Sequence, residues 1–187
     1  MDLHHALLAT LAVSAVAFST GPLAAQPATA NVIQLGGGFR YGFATDDVEP
    51  NPFGVGLGLE LGYTLTNAVY LGANFDYFFG GSAELPGADV KANVWQLMAE
   101  GGYDIGLGDS VVLRPKLGAG AAWLNGEICN PTLDVCDDSS ESSFAVAPGA
   151  TFLYLGSSIS LSLDLRYDIV MTDDTLNALI VSAGIGF

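Results

Sequence analysis

Residues 159–171 read Ile-Ser-Leu-Ser-Leu-Asp-Leu-Arg-Tyr-Asp-Ile-Val-Met. Ile159, Leu161, Leu163, Leu165, Tyr167, Ile169 and Met171 share one parity, and Ser160, Ser162, Asp164, Arg166 and Asp168 share the other. A period of two marks a β-strand, whose successive side chains leave opposite faces of the sheet. One face here is unbroken apolar surface, and the other holds two carboxylates and a guanidinium close together. A single strand does not say which face is inside, because a half-buried strand of a soluble sheet alternates in the same way.

The pattern recurs along the chain. From Val32 to Phe43, Ile33, Leu35, Phe39, Tyr41 and Phe43 oppose Gln34, Gly36, Gly38, Arg40 and Gly42. Val55, Leu57, Leu59, Leu61 and Tyr63 alternate with Gly54, Gly56, Gly58, Glu60 and Gly62. Further strands are read at Val69–Phe79, Trp95–Tyr103, Ser110–Leu124, Ser143–Leu155 and Leu176–Phe187. The Ser143–Leu155 strand is interrupted by Pro148, where a bulge or register break is expected, since a closed sheet has no free edge on which proline is harmless. Eight strands is an even number, as up-and-down closure with both termini on one side requires. Connections alternate between short turns (65–68, 104–109, 156–157) and longer acidic loops (44–53, 80–91, 125–142), with 172–175 as a short fourth outer loop. Aromatic residues such as Tyr41, Tyr63, Trp95, Tyr103, Trp123 and Tyr154 lie toward strand ends, where membrane interfaces place them. A soluble eight-stranded calyx would put the glycine-rich and charged face outward, leaving more apolar bulk inside than such a lumen holds. The expected fold class is therefore all-β, an eight-stranded antiparallel up-and-down transmembrane β-barrel.

Composition agrees. Half of the 187 residues are apolar, 24 are glycine and only 5 are lysine or arginine. After the N-terminus no apolar run is long enough for a spanning helix. Ala6 to Phe18 is a continuous Ala/Leu/Val stretch followed by Ser19, Thr20, Gly21, Pro22 and small residues, which reads as a signal peptide over 1–25 although its start lacks Lys or Arg. Cleavage after Ala25 is expected, with Ala30 as the alternative, leaving residues 31–187 as the barrel domain. It removes Asp2 and no base, taking the formal charge from −15 to −14. Such acidity argues against a nucleic-acid partner.

This chain resembles the small outer-membrane β-barrel family that includes OmpX and the transmembrane domain of OmpA. The resemblance covers Asn31 to Phe187 and is most specific at the end, where Val181, Ala183, Ile185 and a terminal Phe187 look like the signal read by the barrel-assembly machinery. It implies residence in the outer membrane of a Gram-negative bacterium, contact with outer-membrane lipid, and structural, adhesive or envelope-interaction roles. The peptidoglycan-binding domain of full-length OmpA-type proteins is not expected.

Four of the five basic residues, Arg40, Arg114, Lys116 and Arg166, have inward parity, as do Glu60, Asp76, Glu100, Asp164 and Asp168. A hairpin centred near Pro50 sets Arg40 opposite Glu60, and one centred near Leu107 sets Glu100 opposite Arg114. Charges inside a barrel must be paired or solvated, and arginine suits two-pronged carboxylate contacts. The expectation is a structural ion-pair network filling the lumen; a gated or proton-conducting path is the alternative.

No catalytic site or cofactor is expected. His4 and His5 are the chain's histidines and leave with the signal peptide, whereas barrel hydrolases rely on histidine. The pairs Asp137/Asp138 and Asp173/Asp174 read as solvated loop charges. Asp134, Asp137, Asp138 and Glu141 could hold Ca²⁺, but the spacing of a dedicated calcium loop is missing and no metal is assigned. Cys129 and Cys136, seven apart in an exported chain, are expected to form a disulfide closing the longest outer loop. The resulting reading is a monomeric barrel acting through its loops or in envelope integrity. A narrow porin-like channel for small solutes or ions, and a binder of cationic ligands or host surfaces, are the competing readings. Intact-mass analysis of the membrane-fraction protein should show a chain starting at Gln26 or Asn31; a species retaining Met1 would refute the leader.

Overall fold

A computed structural model describes residues 29, 31–46, 50–85, 88–130 and 135–187. The leader and both of its cleavage points lie outside the described residues. Among the described residues every regular element is a strand: β1 (Ile33–Ala44), β2 (Gly54–Thr64), β3 (Val69–Phe78), β4 (Ser82–Leu85), β5 (Ala88–Tyr103), β6 (Ile105–Gly106), β7 (Val111–Asn130), β8 (Val135–Leu155), β9 (Ser160–Met171) and β10 (Leu176–Gly186). Eight of these close a ring in the order β1, β2, β3, β5, β7, β8, β9, β10, all neighbours antiparallel. β10 returns to β1, with Ala183 opposite Phe39, and β5 meets β7, with Ala99 opposite Ala119. The short strands are extensions: β4 folds back on β5, and β6 carries the β5–β7 pairing past Asp104. The architecture is the expected eight-stranded antiparallel barrel.

Its faces are inverted relative to a soluble protein. On β9, Leu163 and Leu165 are 55% and 52% exposed, whereas Asp164, Arg166 and Asp168 are 8%, 2% and 0%. The apolar parity faces outward on every ring strand, and the glycine, serine and charged parity faces the lumen. Such a surface is stable against hydrocarbon, and closure leaves no unpaired strand edge inside it.

Three local expectations are corrected. Pro148 causes no register break: Val146 pairs with Ile169 and Gly149 with Arg166, equally spaced on both strands, so no residue is inserted. Proline merely withholds its donor from the β9 ladder while Leu117 stays opposite it on β7. Second, the presumed loop 80–91 contains β4. Third, the presumed loop 125–142 is an extension of β7 and β8, which run to 20 and 21 residues. A tilted strand crosses a bilayer in about 9–11 residues, so roughly half of this hairpin stands beyond it. Pairing continues to Asn130 opposite Val135, and β5 accompanies β7 as far as Asp89 opposite Cys129. β4, β5, β7 and β8 thus project as one sheet from the ring's long-hairpin end. The opposite end carries the short turns at Leu65–Ala68, Leu107–Val111 and Gly156–Ile159.

Cys129 and Cys136 face each other across the β7–β8 ladder and are disulfide-bonded. The bond closes a short loop in a hairpin that already has full backbone pairing. Reduction should therefore lower stability by about 2 kcal/mol or less and leave the ring intact. Heat-modifiable gel migration should be the same with and without reductant, and alkylation before reduction should label neither cysteine.

Candidate functional site

Moving through the lumen from the short-turn end, the first charge is Arg114 of β7, 1% exposed. Its Nη2 donates to Asp104 Oδ2 at 2.9 Å and to Gln34 Oε1 at 2.9 Å, and its Nε donates to Asp104 Oδ1. The guanidinium carbon lies 3.6 Å from the centre of the Tyr70 ring, a cation–π contact in a desolvated setting. Thr29 and Thr64 also donate to Asp104, at 2.6 and 2.9 Å. Glu60 lies at the margin, 4.0 Å from Arg114, accepting a 2.9 Å bond from the Tyr70 hydroxyl.

Next comes Lys116, whose Nζ sits 3.0 Å from both Glu100 Oε1 and Asp164 Oδ2. Thr151 donates to Asp164 at 2.7 Å, and Asn74 donates to Glu100. Beyond this, Arg166 bonds Asp168 through Nε at 2.8 Å and Asp76 through Nη2 at 2.6 Å, with Gln96 accepting at 3.0 Å. Arg40 donates to the same Asp76 at 3.0 Å. The six carboxylates outnumber the four cations, so Arg114, Lys116 and Arg166 each serve two acids.

All nine sequence-assigned lumen residues point inward, but two pairings are corrected. Arg40 lies opposite Gly56, not Glu60, a shift of four residues. Its partner is two strands away: Arg40 reaches over Gly58 to Asp76, which is opposite Gly58 on β3. A Cβ on Gly58 would collide with Asp76 Oδ1 and with the Arg40 guanidinium. Glu100 lies opposite Gly118, again four residues from the expected Arg114, and takes Lys116 instead. The cause is Asp104. Read as a turn residue, it continues the inward parity, and the turn follows at Leu107–Val111. Between the Gly102–Lys116 and Ile105–Leu113 pairs it comes level with Arg114.

Toward the long-hairpin end the lumen becomes apolar. Phe53, Phe78, Val94, Met98, Val170 and Ile180 pack there, each at most 1% exposed, with Phe53 edge-on to Phe78 at 5.3 Å. Phe53 belongs to the 44–53 loop between β1 and β2. The Asn51 side chain accepts from the Phe53 N–H at 3.0 Å and donates to the Gly42 carbonyl at 3.0 Å, a turn that folds the ring inward. Gly42 supplies the space, since a Cβ there would strike Phe53 and Ile180.

The calcium reading gains no geometry. Asp137 and Asp138 are successive residues of one strand and leave opposite faces, and Asp134 lies outside the described residues. Among the described residues the one cluster of metal-ligand types is Glu127 with Cys129 and Cys136, whose sulfurs are bonded to each other.

A closed ring with hydrocarbon-compatible walls, a paired-charge lumen and long hairpins at one end defines a small transmembrane barrel of the outer membrane. The chain belongs to the outer membrane protein beta-barrel domain family, which it matches over residues 7–187. Similar folds include Ail, the attachment invasion locus protein of Yersinia pestis (18% identity, TM-score 0.60, 83% of this chain and 97% of that one). Neisserial surface protein A is another (15%, 0.60, 82% and 95%), as is the N-terminal barrel of Pseudomonas aeruginosa OprF (18%, 0.51, 84% and 98%). No curated protein matches the sequence. The protein resides in the outer membrane of a Gram-negative bacterium, and the short-turn end faces the periplasm.

Two substitutions separate lumen packing from lipid contact. Gly58→Leu should destabilise the barrel by about 3–5 kcal/mol, because it breaks the buried Arg40–Asp76 pair. Gly101→Leu, on the outward face with nothing within 4 Å of the new Cβ, should change stability by only about 0.5 kcal/mol. Urea unfolding in lipid vesicles measures both.

Proposed function

We propose that this protein is a surface-display barrel whose lumen is sealed by ion pairs and whose projecting sheet contacts other molecules, in adhesion or in envelope integrity. One observation carries the reading: beyond the periplasmic mouth, charge and apolar packing occupy the interior. Arg114, Asp168, Phe53, Phe78 and Met98 are each at most 1% exposed. Beside Arg40, Glu60 and Arg114 there is space of only about 30 Å³, room for roughly one or two waters. A barrel of eight strands is just wide enough for side chains, a size rule for which OmpA/OmpX-type barrels are the stock example.

Charge bears on the kind of ligand. Ail is described in complex with the heparin analogue sucrose octasulfate. Here the projecting sheet carries Asp89, Glu127, Asp137, Asp138 and Glu141 against one lysine, Lys91, which suits a cationic or neutral partner rather than a polyanion. Residues 1–25 act as the export leader. Phe187 serves as the assembly signal; it is 68% exposed, and its backbone is bonded in both directions to Leu35, at 2.9 and 3.2 Å. The reading takes the barrel as a monomer with no catalytic role.

A narrow channel is the second reading, favoured by a vestibule of about 510 Å³ at the periplasmic mouth, lined by Gln34, Leu153 and Ser160 among others. Planar-bilayer recording decides between them. The native protein should give no stable conductance, and Arg114→Ala should give small or flickering currents. Steady ohmic channels from the native barrel would promote the channel reading.

A further inference from the structure

Just before β1, at the short-turn end, the chain changes direction at Asn31. Its N–H donates to the Thr64 carbonyl at 2.7 Å, and its side chain accepts from the Tyr63 hydroxyl at 3.2 Å. Its φ is +62°, a left-handed conformation that asparagine adopts more readily than most residues and that breaks the strand direction. Two residues earlier, Thr29 is 4% exposed. Its hydroxyl donates to Asp104 Oδ2 at 2.6 Å, the oxygen that also accepts from Thr64 and Arg114. The first residues of a domain are poorly ordered unless tied down; here a buried carboxylate ties Thr29.

Thr29 also forms part of the wall of the 510 Å³ vestibule. Leu153, Leu155 and Ile159 supply apolar wall, and Gln34, Ser158 and Ser160 supply polar groups. Gln34 accepts from Arg114 at 2.9 Å and donates to Thr64 at 3.1 Å, so the vestibule adjoins the Asp104 cluster that Thr29 completes. The two candidate processing points leave different chains here. Cleavage after Ala30 would remove Thr29 and with it one donor to Asp104. Cleavage after Ala25 keeps Thr29 and sets Gln26, Pro27 and Ala28 before it. Three residues span about 10 Å when extended, and the vestibule taken as a sphere is about 10 Å across. Proline and alanine suit its leucine and isoleucine wall, and the glutamine amide suits its serines.

We infer that the leader is cut after Ala25 and that the retained Gln26–Ala30 segment latches the periplasmic mouth, with Thr29 on Asp104 and residues 26–28 seated in the vestibule. Residues 26–28 lie outside the described residues; Thr29 and Asn31 supply the anchor and the direction. The latch rests on the leader and sealed-barrel readings and extends the second: the space that favours a channel is the socket for the chain's own N-terminus.

The test uses the exported protein in lipid nanodiscs. Intact mass should place the first residue at Gln26, and a chain starting at Asn31 would overturn the latch. Ser160→Cys then supplies one free thiol in the vestibule, since Cys129 and Cys136 are bonded to each other. Maleimide should label it slowly. Adding Thr29→Val, or deleting residues 26–28 with processing after Ala25 verified by mass, should speed labelling at least about tenfold, because labelling follows the fraction of molecules with the mouth open. Gel migration should stay heat-modifiable in both. The deletion carries the test alone if Thr29→Val does not fold. Protection that survives both changes would assign the vestibule to another occupant and overturn the latch. A non-conducting barrel with unprotected Ser160→Cys would sink the latch alone. Steady conductance from a protected barrel would sink the sealed-barrel reading and leave the N-terminal segment seated.

Discussion

Hydrocarbon around an eight-stranded ring forces every second side chain to be apolar, and the same alternation sends the others into a lumen only side chains wide. Everything else in the molecule follows from meeting both demands at once. The inward parity holds glycines where long chains must cross and charges where they can meet. Arg40 reaches Asp76 only because Gly58 stands between them without a side chain. Each charge is costly to bury alone, so cations are shared: Arg166 between Asp76 and Asp168, Lys116 between Glu100 and Asp164.

The ends of the barrel are built differently. At the periplasmic mouth Asp104 gathers Arg114, Thr29 and Thr64, which joins β7, β2 and the segment before β1 around one carboxylate. Toward the outside the lumen is closed by apolar packing around Phe53 and Phe78. Polar closure faces the side with a vestibule, and dry closure faces the medium. The projecting sheet stands on the dry end, so the surface available for contact is separate from the interior that stabilises the ring.

Parity was legible in the sequence because it does not depend on which residues pair. Both mistaken hairpin centres lay two residues from the true ones, which moves each partner by four, an even number, so Arg40, Glu60, Glu100 and Arg114 kept their inward face while losing their expected partners. Partner choice depends on where each turn closes and on reach across a strand, and neither is written locally. Asp104 looks like a turn residue in a run with Gly106 and Gly108, although its parity matched the strand before it. Phe53 looks like loop because its inward direction comes from the Asn51 side chain rather than from a strand. The long β7–β8 hairpin was hidden because its polar and serine-rich outer half has no hydrocarbon on either face, and so loses the alternation that marks strands within the membrane.

The central claim is that the lumen charges are dry and mutually dependent, and a double-mutant cycle on Arg114 and Asp104 tests it most directly. Unfolding free energies in lipid vesicles would be measured for Arg114→Met, Asp104→Leu and the double variant. Each single change should cost about 3–5 kcal/mol by leaving its partner buried and unpaired, and the double variant should cost less than their sum by at least about 1.5 kcal/mol. Additivity within about 0.5 kcal/mol would mean that water screens the pair, and would contradict a lumen sealed by its charges.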